Sequence, residues 1–149
     1  MHPAPQGPRE SALAALQQAT HATLHVLADK LSHLNLAPSE MNLLAALPGD
    51  AVRTVGELAA ATGTKPSTLT SVLDRLERDG HLERDVDRGD RRRVLIRLTP
   101  SGRHLSATVR AAMADIEQSA LRPVSARDLA GFFAVTAALA RAVRPEEGQ

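Results

Sequence analysis

Four arginines lie within six residues, at Arg88, Arg91, Arg92 and Arg93, and Asp90 stands among them. Like charges at this spacing repel one another, so they need either an anionic partner or wide solvation. The narrow minor groove of DNA is such a partner, because its negative potential attracts inserted arginine side chains. Asp90 precedes Arg92 by two residues, close enough for a bidentate pair that would orient the guanidinium. The candidate DNA-binding residues of this loop are Asp90, Arg91, Arg92 and Arg93, and a charged loop that is merely solvated is the alternative.

A second polar set lies on a short predicted helix, residues 66–78. Small polar side chains near the start of a helix let its backbone approach base edges and phosphates in the major groove, and the helix N-terminus adds partial positive charge. Lysine and hydroxyl groups suit phosphates, whereas Arg75 can reach a phosphate or a guanine. Hydroxyl residues are also common helix caps, so a solvated helix face is the alternative. The candidates are Lys65, Ser67, Thr68, Thr70, Ser71 and Arg75.

Bulk charge does not support nucleic-acid binding. The net charge is +1, and residues 65–93 hold eight basic and seven acidic side chains. Arginine supplies 16 of the 18 basic residues, which a GC-rich genome would also explain. The prediction therefore depends on where the arginines lie, not on how many there are.

The elements around these residues form a helix-turn-helix pattern. Thr54 and Glu57 make a capping box, which predicts a helix that Gly63 ends. Pro66 begins the second helix, because its missing N–H costs nothing in the first turn, and Gly80 closes that helix. Two short helices joined by a glycine-containing turn are typical of this motif.

The apolar period changes from 3.6 to two after Gly80. Alternating residues on both sides of the loop at residues 87–93 predict a two-stranded β-hairpin with a basic tip. The expected fold class is therefore mainly α with a small β-hairpin wing. It is a winged helix-turn-helix flanked by long N- and C-terminal helices.

Both flanking segments show an apolar residue at every third or fourth position. The first, residues 11–34, would form a helix about 35 Å long, more than a small domain needs, which suggests a helix shared with a second subunit. Ser125 and Asp128 cap a last helix. We expect disordered tails at residues 1–10 and 145–149, dimerisation helices at 11–36 and 100–144, and a DNA-binding lobe at 37–99. The predicted dimer-interface residues are Leu13, Leu16, Phe132, Phe133 and Leu139.

Three short motifs carry a resemblance. They are D-R-L-E-x-x-G at residues 74–80, D-R-R at 90–92 and L-T-x-x-G at 98–102. Together they resemble the MarR family of bacterial regulators, and the flanking helices extend the match over nearly the whole chain. The resemblance implies a homodimer with interlocked terminal helices and an Arg92 that enters the minor groove while Asp90 braces it. Ala37 departs from the usual capping Thr or Ser, and Pro66 occupies an early recognition-helix position that is often polar.

Many regulators of this family bind a small anionic or phenolic effector. His21 and His25 lie four residues apart and could form half of a zinc site, with His33 or His104 as partners, although two surface histidines explain them as well. Apolar effectors could enter among Leu16, Leu24, Met41 and Leu44. The absence of cysteine excludes a thiol switch, and the two phenylalanines offer little for ring stacking. We expect no cofactor.

These observations favour a cytoplasmic bacterial regulator that binds a pseudo-palindromic duplex as a homodimer. We expect an autoregulating repressor released by a small-molecule effector. The alternatives are a winged-helix adaptor for another protein and a zinc-responsive regulator using His21 and His25. No nucleophile–base pair or phosphate loop points to an enzyme. No apolar run is long enough to cross a bilayer, and the N-terminus lacks a secretory signal.

Overall fold

The computed structural model describes residues 11–142. The tails predicted at residues 1–10 and 145–149 therefore lie outside the described residues. The chain divides into two compact units, one reaching Met113 and the other beginning at Ala114. No helix within residues 11–142 is both long and apolar enough to cross a membrane.

The structure confirms the predicted fold class, a mainly helical chain with a small β wing. The six α-helices of the described residues are α1 (Ala12–Lys30), α2 (Pro38–Ala45), α3 (Val55–Thr62), α4 (Pro66–Arg78), α5 (Pro100–Leu121) and α6 (Ala126–Ala142). The strands are β1 (Arg53–Thr54), β2 (Leu82–Val86) and β3 (Val94–Leu98). The helix-turn-helix limits match those predicted from the capping box, Pro66 and Gly63, whose φ of 65° is left-handed.

The first helix is shorter than its apolar pattern predicts. It ends at Lys30, and a 3₁₀-helix, Ser32–Leu34, follows. Asn35 then takes a left-handed conformation with φ of 53°, which asparagine tolerates better than most residues. The spacing of apolar residues continues through the tighter 3₁₀ turn, so this spacing could not indicate where the α-helix ends.

The sheet has three antiparallel strands in the order β1-β3-β2, whereas the sequence predicted a hairpin of two. In the added strand, Arg53 pairs with Ile96 and Thr54 with Leu95. Two residues are too few to show an alternating pattern. Only pairing with a strand far along the chain defines β1.

Helix α5 packs against the C-terminal end of α2. The Ser106 hydroxyl, itself buried, lies 2.7 Å from the Leu44 carbonyl oxygen and 3.0 Å from that of Leu47. Arg110 Nη1 donates to the Ala45 carbonyl oxygen at 3.1 Å. The last carbonyls of a helix have no partner within it, so these contacts satisfy groups that would otherwise be costly to bury.

A close backbone contact joins the end of α4 to the start of α5. The Thr99 N–H donates to the His81 carbonyl at 3.1 Å, and the Thr99 hydroxyl donates to the Gly80 carbonyl at 2.7 Å. A Cβ placed on Gly102 would overlap the His81 carbonyl oxygen. This approach explains the glycine of the L-T-x-x-G motif, since any side chain would collide with backbone.

The second unit contains α6, whose predicted cap is confirmed. Ser125 Oγ accepts the Asp128 N–H at 3.1 Å. No residue of α6 is buried, and Phe132 and Phe133 are 51% and 57% exposed. Both side chains, which the sequence predicted to lie in a dimer interface, are thus exposed in the single chain.

Replacing Gly102 with alanine tests the α4–α5 contact. Gly102→Ala should lower the free energy of unfolding by about 3 kcal/mol, because the new methyl group overlaps the His81 carbonyl. Gly56→Ala is the matched control, since a Cβ there meets only Thr54 Oγ1 at 4.0 Å. The free energy of unfolding of this control should rise by about 0.5–1 kcal/mol, because alanine has a higher helix propensity than glycine. Equal urea-unfolding curves for the two variants would contradict the assigned close approach.

Candidate nucleic-acid interface

Helix α4 buries one face and exposes the predicted reading residues. Its buried side chains are Leu69, Val72, Leu73 and Leu76. The exposed ones include Lys65 at the N-cap, Ser67, Thr68, Thr70 and Ser71. Lys65 makes no side-chain capping hydrogen bond, so the first-turn N–H groups of α4 lack a side-chain cap. Phosphate oxygens are suitable acceptors for such groups.

The four hydroxyl groups of α4 differ in their hydrogen bonds. Thr70 Oγ1 donates to the Pro66 carbonyl at 3.0 Å, and Ser71 Oγ donates to that of Thr68 at 2.8 Å. The hydroxyls of Ser67 and Thr68 make no such bond within residues 11–142. In this conformation Ser67 and Thr68 have free donors, whereas Thr70 and Ser71 offer only acceptor lone pairs.

Arg75 forms an ion pair with Glu40, which is not among the candidate residues chosen from the sequence. Its Nε lies 3.2 Å from Glu40 Oε1, and the Arg75 side chain is 44% exposed while that of Glu40 is 9% exposed. Glu40 Oε2 also accepts the Ala37 N–H at 2.7 Å, so Glu40 caps the start of α2 where Ala37 has no side-chain acceptor. Glu40 stands at the capping-box position after Ala37, but its ion pair with Arg75 joins residues far apart in the sequence, so no local pattern indicates that pair.

The predicted pair between Asp90 and the Arg92 guanidinium does not form. Asp90 instead shapes the backbone of the wing loop. Its Oδ1 accepts the backbone N–H of Arg92 at 3.0 Å, and its carbonyl accepts the N–H of Arg93 at 2.9 Å. Asp87 Oδ1 accepts the Gly89 N–H in the same way at 2.9 Å. An aspartate readily bonds the backbone two residues later, and this bond orders fewer rotatable groups than one to a long side chain.

The wing tip exposes three arginines with no acidic partner within residues 11–142. They are Arg88, Arg91 and Arg92. Arg93 differs, since its Nη1 lies 3.7 Å from Asp87 Oδ2. Arg88, which is not among the candidates chosen from the sequence, therefore joins the candidate DNA-binding residues.

Arg84 ties the wing to the reading helix. Its Nη2 donates to Asp74 Oδ1 at 2.7 Å and its Nη1 donates to Glu77 Oε2 at 2.6 Å. Arg84 pairs with the buried Ile96 in the sheet, so both side chains face the helices. The acidic residues of the D-R-L-E motif thus fix the position of β2 against α4, and its leucine, Leu76, is in the core.

The capping box of α3 forms as predicted. Thr54 N–H donates to Glu57 Oε2 at 2.7 Å, and Glu57 N–H donates to the Thr54 hydroxyl at 3.2 Å. The bonds from the Thr54 backbone and hydroxyl lower the pKa of Glu57, with smaller contributions from Arg93 and Arg53. A lowered pKa adds stability that is present above the unfolded pKa and is lost as the pH falls through the folded one.

The predicted effector residues occupy two different environments. His21 and His25 are exposed on α1, whereas Met41 and Leu44 are buried in the core. Residues 11–142 contain no group of three or more His, Cys, Asp or Glu side chains able to hold a metal ion. Within this range no further protein ligand for zinc accompanies the two histidines.

Comparison with known proteins places the winged lobe among transcriptional regulators. The sequence profile of the MarR family matches residues 34–93. The HTH-type transcriptional regulator YcgE of Bacillus subtilis, itself uncharacterized, is 38% identical over 73 residues, which cover 48% of this chain and 47% of that protein. The chain spans about half, or less, of the length of the curated relatives it matches.

Solved structures share the fold over nearly the whole chain. A MarR family regulator from Silicibacter pomeroyi has 24% identity and a TM-score of 0.78, with 95% of this chain and 96% of that one covered. NadR in complex with 4-hydroxyphenylacetate has 21% identity and a TM-score of 0.77, with 92% and 98% covered. At these identities the likeness concerns the fold.

Arg84 gives a direct test of the wing attachment. Arg84→Gln should lower the free energy of unfolding by about 1.5 kcal/mol, because it leaves two carboxylates without their shared guanidinium. Arg97→Gln in β3 is the control, since its 3.9 Å pair with Asp85 is exposed and should contribute less than about 0.5 kcal/mol. Urea unfolding measures both, and equal losses would refute a special role for Arg84.

Proposed function

We propose that this chain, whose residues 34–93 match the MarR family, is a dimeric DNA-binding repressor that a small-molecule effector releases. Its targets would include its own promoter. The observation that carries the proposal is the wing tip, where Arg88, Arg91 and Arg92 are exposed without an acidic partner within residues 11–142. Arg84 holds this wing at a fixed position beside α4, so the two elements can enter neighbouring grooves together.

Exposed apolar side chains support a second copy of the chain as partner. Leu13 on α1 is 50% exposed, and Phe132 and Phe133 on α6 are more exposed still. A soluble chain gains little by leaving such residues in water, whereas a symmetric interface would bury them twice. A two-fold dimer would read a pseudo-palindromic duplex.

An effector is supported by the fold alone. NadR shares the architecture and binds 4-hydroxyphenylacetate. In this chain His21, His25, Met41 and Leu44 remain the proposed contacts, and burial of the last two requires that an effector open part of the core.

Selection of bound duplexes from a random pool, using the purified full chain, tests the function. The selected sequence should be pseudo-palindromic, and its affinity should fall steeply with salt because bound phosphates release counterions. The complex is then titrated with 4-hydroxyphenylacetate and, separately, with zinc, to identify what releases the DNA. Failure to retard any duplex at low salt would refute the proposal and favour a protein-binding adaptor.

Arg92→Ala tests the role of the wing. Affinity for the selected duplex should fall by about 1–3 kcal/mol, the usual range for one good arginine contact. The melting temperature should not change, because Arg92 is exposed and its side chain has no hydrogen bond or ion pair within residues 11–142. Arg122→Ala, in the exposed loop between α5 and α6, is the control and should bind normally. Normal binding by Arg92→Ala would mean that the wing assignment is wrong.

A further inference from the structure

We infer that Glu40 is a positioning residue, which holds Arg75 so that its guanidinium meets a DNA phosphate. The inference rests on the proposed DNA binding and concerns a residue of α2, outside the reading helix. It begins from the ion pair between Arg75 Nε and Glu40 Oε1 at 3.2 Å.

The ion pair leaves part of the Arg75 guanidinium available. Nη1 and Nη2 make no hydrogen bond with any of residues 11–142, and 44% of the side chain is exposed. The guanidinium is a rigid plane with five donors, so an ion pair that holds its Nε edge near Glu40 restricts where the other nitrogens can lie. Two such nitrogens match two phosphate oxygens, which a lysine ammonium cannot do with the same geometry.

Arg75 lies on the same side of α4 as candidate reading residues. It follows Ser71 by four positions and Thr68 by seven, and side chains at these spacings share a helix face. All three residues are exposed. A phosphate that contacts this strip of hydroxyls would therefore be within reach of a fixed Arg75.

Glu40 is itself firmly held. Its Oε2 accepts the Ala37 N–H at 2.7 Å, and only 9% of its side chain is exposed. The far end of α2 is fixed by Ser106 and Arg110. A buried carboxylate with two partners cannot swing towards solvent without losing both, so it restricts the Arg75 rotamers before DNA arrives.

Glu40→Gln separates positioning from bulk charge. The substitution removes a negative charge near DNA, so bulk electrostatics predicts tighter binding. Positioning predicts the opposite, a loss of about tenfold in affinity. The slope of log affinity against log salt should also become shallower by about 0.9, the value of one phosphate contact. A residue with a merely structural role would leave that slope unchanged in the folded protein.

Further variants make the test independent of the stability of Glu40→Gln. Arg75→Lys keeps the charge but cannot bridge Glu40 and phosphate in the same way. Its affinity for DNA should therefore fall by a similar factor. The variant that carries both substitutions should lose no more DNA affinity than either single variant, because both substitutions act on one contact. Glu83→Gln is the matched control, since Glu83 is exposed on β2 and has no ion pair within residues 11–142. It should bind as well as the wild type or slightly tighter. Circular dichroism confirms that each variant is folded under the binding conditions.

The outcomes distinguish this inference from the proposed function. Weaker binding and a shallower salt slope in Glu40→Gln and Arg75→Lys would support it. If either folded variant binds as tightly as the wild type with an unchanged slope, while Arg92→Ala loses affinity, the inference is wrong and the DNA-binding proposal stands. If the wild type retards no duplex, both are wrong.

Discussion

The two hydrogen bonds from Arg84 to Asp74 and Glu77 set the geometry on which the rest of the lobe depends. Strands β2 and β3 bury Leu82, Ile96 and Leu98 at one end, but their exposed tip provides no packing that could orient it. The guanidinium supplies that orientation, because its planar fork fixes both distance and angle between β2 and α4.

The same ion pairs explain how a chain of net charge +1 can present a cationic tip. Asp74 and Glu77 are occupied by Arg84, Asp87 lies near Arg93, and Glu40 pairs with Arg75. These pairs partly offset acids that would otherwise lower the local potential. The wing tip remains with three arginines that have no acidic partner within residues 11–142. Local arrangement, not total charge, produces the surface that phosphates would meet.

Local signals in the sequence were enough to predict the helix-turn-helix to the residue. Thr54, Gly63 and Pro66 each impose a backbone conformation on their own neighbours, so no tertiary information was needed. The features that were missed depend on partners far along the chain. Strand β1 exists because β3 lies beside it, and Glu40 matters because α4 brings Arg75 to it. The Asp90 error had another cause, a nearby backbone N–H that competed with the side chain chosen as its partner.

The junction at Gly102 has a mechanical consequence. With the His81 carbonyl occupying the space of a Cβ, and with Thr99 bonded to both Gly80 and His81, the first turn of α5 cannot move without carrying the end of α4. The junction is therefore a rigid connection between α4 and α5, not a flexible linker. In the proposed dimer, a tilt of α5 would therefore change the distance between the two reading helices. That distance would then no longer match the spacing of the DNA half-sites.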